Sequence, residues 1–350
     1  MATTVDNGAA FLAYLGEKRS LVDGYLMSHL PEPLPGETSG QDDMRRYLYD
    51  PFAAYTANGG KRTRPVLALL GSEAVGGHAE DALAVACAIE DFQSAALIHD
   101  DIADEGELRR GKPCLHRTEG VGVAINVGDL ALVTVTAKVL RAEGLSDEKR
   151  LRVLDELVAM EERTLEGQAL DLGWARDGRW DVTAADYLVM ARHKTAFYSA
   201  ATPLAVGAIC GGGTSAQVEA LRSFGMWAGL AFQLQDDLLN LVGNEAAQGK
   251  DFRTDITEGK RTLAVCDALE RLDSERREEL VAILSSHTSD ASALARAVEL
   301  MESAGAIERV RDYALSLVNT AKQQLKGIDL VGDSRAILES MADFFVERRG

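Results

Sequence analysis

The segment Leu97-Ile98-His99-Asp100-Asp101-Ile102-Ala103-Asp104 constrains the fold of this chain more than any other. It closes a long apolar pattern that starts near Asp81, and it puts three carboxylates on the last turns. In a helix, residues i and i+4 share a face, so Asp100 and Asp104 point the same way with Asp101 beside them. Like charges that close repel. A fold that gathers them must set a cation opposite, and carboxylate oxygens suit a hard ion such as Mg²⁺. Arg109-Arg110-Gly111-Lys112 follows directly. Acid and then base is what a metal-bridged diphosphate needs. Taken alone, the segment is more often a solvated helix end with ordinary surface charges.

The rest of the chain tips that balance. A second acidic cluster, Phe232-Gln233-Leu234-Gln235-Asp236-Asp237-Leu238-Leu239-Asn240, comes 136 residues later, also late in a long helical pattern, and Lys and Arg follow it too. Two carboxylate faces opposed across a bundle could hold several Mg²⁺ ions around one diphosphate. The net charge is −18, from 37 Lys and Arg against 55 Asp and Glu. That argues against nucleic acid as a partner, and any anionic substrate must be held by local cations and metal. Aromatics make up only 6% of the 350 residues, Ala and Leu dominate, and no strand-like alternation stands out. Although the length alone suggests two domains, no linker divides the chain. We therefore expect one all-α domain over residues 1–350, with 1–8 disordered, the motifs within 55–262, and helices without evident chemistry from 263 to 350.

Helical spacing predicts helices at Phe11–Leu30, from Asp42 toward Tyr55, at Val66–Val75, Asp81–Ala103, 120–142, Ser146–Leu172, after a Val182-Thr183 cap, and at Ser215–Val242. Between them, Gly59-Gly60-Lys61-Arg62-Thr63-Arg64-Pro65 lets backbone approach an anion at a helix start. It lacks the Walker pattern. Cys210-Gly211-Gly212-Gly213-Thr214 reads as a helix stop and an N-cap rather than a phosphate cradle. The four cysteines show no metal spacing and read as reduced thiols in a cytoplasmic protein. The N-terminus has no signal-peptide pattern. Val121 to Leu140 is broken by Asn126, Asp129 and Lys138, so it reads as a buried helix and not a membrane span.

From Tyr55 to Thr262 the chain resembles the trans-isoprenyl diphosphate synthases, or polyprenyl synthetases. The resemblance rests on GGKRTRP at 59–65, DDxxD at 100–104 with RRGKP at 109–113, GQALD at 167–171, KT at 194–195, FQLQDD at 232–237 and GK…TDI…EGKRT at 249–262. It implies a large helical bundle of the isoprenoid synthase type, its cavity lined by two Asp-rich helices. It also implies a homodimer, and Mg²⁺-dependent condensation of isopentenyl diphosphate with an allylic diphosphate, with three ions once substrate is bound. Carried onto this chain, Lys61, Arg64, Gln93 and Arg110 hold the isopentenyl diphosphate. Asp100, Asp104 and Asp236 bind metal, with Asp101 in support. Arg109, Lys194, Lys250 and Lys260 grip the allylic diphosphate. Thr195 and Gln233 stand over the reacting carbons, and Asp171 orients Lys194 or a metal-bound water. The resemblance further places a chain-length floor four and five residues before Asp100, one turn or ~5 Å deeper. Those positions are Ala96 and Ala95, too small to block a tail. Phe92 lies a further turn down and reads as floor or as plain core. The expected product is C20 geranylgeranyl diphosphate, with a longer product as the alternative. The second motif departs from the family by ending in Asn240 rather than Asp, which predicts weaker support for one ion. A terpene cyclase or a regulatory subunit fits less well, because both acidic motifs and two sets of basic residues are present.

Overall fold

The computed structural model describes residues 8–33, 36, 39–243 and 252–348. The expectations for residues 1–7 and for Gly249, Lys250 and Asp251 lie outside them. The chain runs α1 (Ala9–Ser28), α2 (Gln41–Met44), a π-helical stretch (Arg45–Tyr49), α3 (Asp50–Ala57), α4 (Thr63–Ala74) and α5 (Ala79–Ala103). A short hairpin, β1 (Leu108–Arg109) and β2 (Lys112–Pro113), leads to α6 (Leu115–Thr118), α7 (Val121–Arg141), α8 (Asp147–Arg176) and α9 (Ala184–Ala191). A second π-helical stretch (Arg192–Ala201) joins α9 to α10 (Thr202–Cys210), followed by α11 (Ser215–Val242). After residue 251 come α12 (Thr254–Thr257), α13 (Leu263–Arg271), α14 (Ser274–Ser285), α15 (Ala291–Ser303), α16 (Ala306–Gln324) and α17 (Ser334–Glu347). The all-α expectation holds.

Local chemistry sets the helix ends. Ser146 accepts from the Lys149 N–H, and capping boxes form at Thr183–Asp186 and Thr214–Gln217. The Cys210–Thr214 stretch is indeed a helix stop followed by a cap. The hairpin was not anticipated. Arg110 and Gly111 both have positive φ, 54° and 78°, which is the conformation of a type I′ turn. It folds the basic cluster back beside the end of α5.

Small residues bring the central helices together. A Cβ on Gly71 would lie 2.4 Å from the Leu204 carbonyl oxygen, and one on Gly207 would lie 1.9 Å from that of Ala68. Thus α4 and α10 cross in backbone contact. Across α5 and α7, the buried Lys138 pairs with Asp91. Among the described residues, two helices, α5 and α7, are long and apolar enough to cross a membrane by length and composition. In α5, 72% of the apolar window is buried inside the protein, but in α7 only 44% is. The expectation that α7 is a buried helix is therefore only half met: it leaves Val121, Ile125, Val133 and Leu140 exposed.

Candidate functional site

The end of α5, the C-terminal part of α8, the second π-helical stretch and α11 enclose a cleft of about 300 Å³ lined largely by polar groups. Helix contact positions its side chains. A Cβ on Gly167 would lie 2.2 Å from the Lys194 backbone nitrogen, so α8 touches the π-helical stretch there. Four residues on, Asp171 meets the Lys194 ammonium at 2.5 Å. Gly225 and Gly229 bring α11 equally close to Ala200 and Ala196. One turn further along α11, Gln233 accepts a hydrogen bond from the Thr195 hydroxyl at 2.6 Å. The π winding itself is of the kind that recurs at functional sites.

The acids stand on opposite walls. Gln168 donates to Asp100 Oδ1 at 3.0 Å. Asp104 lies at the rim, where burial and then the Asp100 charge push its carboxyl up to about 6. On the α11 wall, Asp236 is half exposed and pairs with Arg348 at 2.6 Å. Asp237 is buried, and burial and Asp255 push it up to about 8 against hydrogen bonds from Tyr187 and Gln233. Burial likewise lifts Asp255 to about 6. Among the described residues, no group of three or more His, Cys, Asp or Glu is gathered closely enough to hold an ion by itself. The donor set nevertheless fits a divalent cation. Its donors are hard oxygens, and the burial and the Asp100 charge that push the Asp104 carboxyl up are what a cation placed between the two acids would offset. Burial works against the Lys194 charge, but Asp171 and Asp100 outweigh it, and its pKa is raised. Lys260 is raised further, by Asp255 and Glu258 against the same penalty, and it faces Asp104.

A second cavity of about 650 Å³ shares Arg64 and Phe232 with the cleft and is also lined by Lys61, Gln93, Arg109 and Arg110. Arg64 donates to Ser199 at 2.8 Å and lies 4.3 Å from the Tyr198 ring centre. Its Nε and the Gln93 Oε1 are buried without a partner. Arg110 donates to the Gly59 carbonyl. The intervening Arg62 takes the left-handed conformation, φ 54°, and bonds Glu90 at 2.6 Å and Asp23 at 2.8 Å. It anchors the loop, and the ion-pair network repays the strain.

Of the residues singled out in the sequence as substrate-binding or catalytic, Asp100, Lys194, Thr195, Gln233, Asp236 and Lys260 line the cleft and Lys61, Gln93, Arg109 and Arg110 line the second cavity, with Arg64 in both and Asp104 beyond the lining of either. Asp101 is 3% exposed and turns into the protein, where Arg109 Nε meets it at 2.8 Å. Ala95 lies about 140° around α5 from Asp100, fully buried against a cluster containing Phe52, Tyr55 and Val127. Ala96 is half-buried on the Asp100 side. Phe92 is buried and packs edge-on against Tyr198, with ring centres 5.7 Å apart. Asn240 accepts from the Asp255 N–H at 3.1 Å and donates to Thr254 at 3.0 Å, so it clamps α12. Lys250 lies outside the described residues. Sequence reasoning missed Arg348, Tyr187 and Asp255 as site residues. Asp255 sits inside a quoted motif and could have been found, whereas Arg348 and Tyr187 carry no local signal.

The family described as Polyprenyl synthetase matches residues 45–301. A short chain isoprenyl diphosphate synthase of Methanothermobacter thermautotrophicus is 44% identical over 83% of this chain and 87% of its own length. A geranylfarnesyl diphosphate synthase of Natronomonas pharaonis is 36% identical over 95% and 96%. A solved geranylgeranyl pyrophosphate synthase of Corynebacterium glutamicum, complexed with isoprenyl diphosphate and magnesium, superposes with a TM-score of 0.81 at 30% identity, covering 98% of both chains.

Proposed function

This chain belongs to the polyprenyl synthetase family, and on that premise we propose how its two cavities divide the work of a trans-prenyltransferase. The cleft takes an allylic diphosphate and the second cavity takes isopentenyl diphosphate. The observation that carries this reading is the pair of cavities, one walled by opposed acids and one lined by Lys61, Arg64 and Arg110, sharing only Arg64 and Phe232. One face could not serve both substrates, since an ionising diphosphate needs cations that a second diphosphate would otherwise claim.

Asp100, Asp104 and Asp236 would hold the divalent cations, which we assign as three Mg²⁺ ions. Bound there, Mg²⁺ supplies Lewis-acid neutralisation of the leaving diphosphate. Lys194 and Lys260 add fixed positive charge in the cleft, with Lys194 held by Asp171, and Arg109, held by Asp101, adds its charge from the wall of the second cavity. The allylic carbon–oxygen bond breaks, the double bond of isopentenyl diphosphate attacks the cation, and a proton leaves to the departing diphosphate. Thr195 and Gln233 face the reacting carbons, and preorganised dipoles there stabilise developing charge. Closure of the cleft around Phe232 and Tyr198 excludes water from the cation. Asp101 serves by fixing Arg109, and Asn240 by holding α12. Below Asp100, Ala96 leaves room for a tail that ends against Phe92. That favours a C20 product, with C25 or longer as the alternative.

We also assign a homodimer. Helix α8 exposes Leu151, Val158, Leu165 and Leu172 at seven-residue spacing, beside the open apolar face of α7. Such stripes mark an interaction surface. A cytoplasmic setting accords with the four free, buried cysteines, whose thiols burial pushes up and so keeps unreactive.

The test is incubation with isopentenyl diphosphate and C5, C10 or C15 allylic primers with Mg²⁺, followed by chain-length analysis. The wild type is expected to make mainly C20. Asp100→Ala and Asp236→Ala are each expected to lose at least 100-fold in kcat with unchanged helical content. Full activity in both variants would refute the assignment.

A further inference from the structure

The Tyr198 ring touches two parts of the site that serve different substrates. Its edge meets Phe92, with ring centres 5.7 Å apart and planes at 71°. Its face carries Arg64, whose guanidinium carbon lies 4.3 Å from the ring centre. Ser199, the next residue on the same π-helical stretch, accepts from Arg64 at 2.8 Å. Arg64 Nε is buried with no partner. Two consecutive residues of one stretch therefore hold the guanidinium. Tyr198 lines the cleft, and Arg64 lines both cavities. The contacts Phe92–Tyr198–Arg64 thus run from the place where a growing tail ends to the grip on the second diphosphate.

Phe92 is 4% exposed, and a close-packed interior has no slack around such a ring. A tail that already fills the room above Phe92 has to move it when one more isoprene unit is added. Phe92 backs edge-on against Tyr198, so the displacement passes to that ring. A cation is attracted to the face of an aromatic ring within about 6 Å of its centre. The edge of the ring is the positive rim of its quadrupole. Tilting Tyr198 turns that rim toward the guanidinium, and Arg64 loses the support on which it faces the second cavity.

We propose that Tyr198 is a positioning residue that reports the length of the tail to the isopentenyl diphosphate cavity: a full-length tail on Phe92 tilts the ring and loosens Arg64, so that the next isopentenyl diphosphate binds poorly. This rests on the prenyltransfer reading above. Chain length is then limited twice, by the room above Phe92 and by the affinity for the next unit. The coupling is reciprocal. Isopentenyl diphosphate seated on Arg64 disfavours a full-length tail in the cleft and so promotes its release.

Isothermal titration calorimetry on the full chain tests the coupling without turnover. Isopentenyl diphosphate is titrated, with Mg²⁺ present, into protein saturated with an allylic S-thiolodiphosphate, whose carbon–sulfur bond does not ionise. The analogues carry C10 and C15 tails and a tail as long as the principal product, C20 on the reading above. The Kd for isopentenyl diphosphate is expected to agree within twofold for C10 and C15. With the full-length tail it should be at least tenfold weaker, about 1.4 kcal/mol, which is the size of one cation–π contact. Tyr198→Phe keeps the ring and should keep that tenfold difference. Tyr198→Leu removes the ring and should reduce the difference between C15 and full-length tails to less than threefold. Equal affinities with C15 and full-length tails in the wild type overturn the proposal. So does a Tyr198→Leu protein that still discriminates tenfold, or a Tyr198→Phe protein that no longer does. Wild-type protein that fails to condense isopentenyl diphosphate with any primer would instead refute the functional reading itself.

Discussion

Glu161 is the acid whose environment departs furthest from its surroundings on α8. It lies two turns before Gln168 on the same face, and among the described residues no hydrogen bond or ion pair compensates it. Burial pushes its carboxyl up to about 7 from an ordinary 4.5. The folded state then keeps a proton that the unfolded chain releases, so stability is full below about pH 4.5 and falls as pH rises to about 7. Glu161→Gln removes that loss. Its unfolding midpoint in urea should match the wild type at pH 4 and exceed it at pH 8, by on the order of 1 kcal/mol after allowing for partial exposure. Equal midpoints at pH 8 would show that the side chain is solvated. At this scale the sequence named most of the site, because DDxxD, GGKRTRP and FQLQDD have only a few chemical uses. It could not say that Asp101 turns inward to Arg109 or that Asn240 clamps α12. Those outcomes depend on partners 8 and 14 or 15 residues away, placed by loop geometry.

At the level of elements, the spacing between helices decides whether the site exists. Helix α8 meets the π-helical stretch at Gly167, where a Cβ would lie 2.2 Å from the Lys194 nitrogen and 2.6 Å from its Cα. Backbone cannot yield as a flexible side chain does. Gly167→Ala should therefore push the Lys194–Asp171 pair out of register, lowering kcat tenfold or more and destabilising the protein by about 1–3 kcal/mol. Gly173 on the same helix meets nothing within 4 Å. Gly173→Ala should keep full activity and be neutral or up to about 1 kcal/mol more stable. Thermal unfolding and steady-state kinetics on the two variants check both outcomes, and equal behaviour would refute the contact. Helices and their caps were legible from apolar spacing and from Ser146, Thr183 and Thr214. The two π-helical stretches and the Arg110-Gly111 hairpin were not, because their windings follow from packing and turn geometry rather than from apolar period.

Over the whole molecule, a chain of charge −18 must concentrate its positive charge to hold two diphosphates. The hairpin, the α4 entry loop and the π-helical stretch do so by converging Arg109, Arg110, Lys61, Arg64 and Lys194 on adjoining cavities. The outer surface shows the opposite feature, an apolar stripe on α8 and another on α7. If a second copy covers them, Val158→Asp with Leu165→Asp should convert a dimer to a monomer in sedimentation velocity. A wild-type monomer at micromolar concentration would refute the homodimer.

By itself, the sequence determined the helical class and the chemistry. Apolar period and capping residues act over a few positions, and acids that close together demand a cation in any fold. Only the tertiary structure decided which acids face the cleft and which anchor neighbours. It alone showed that Asp236 meets an arginine 112 residues away and that Tyr187 reaches Asp237. The physical reason is range. A hydrogen bond has to be aimed to a few tenths of an ångström, and that aim is set by where helices touch, at Gly167, Gly225 and Gly229, and not by the residues that make the bond.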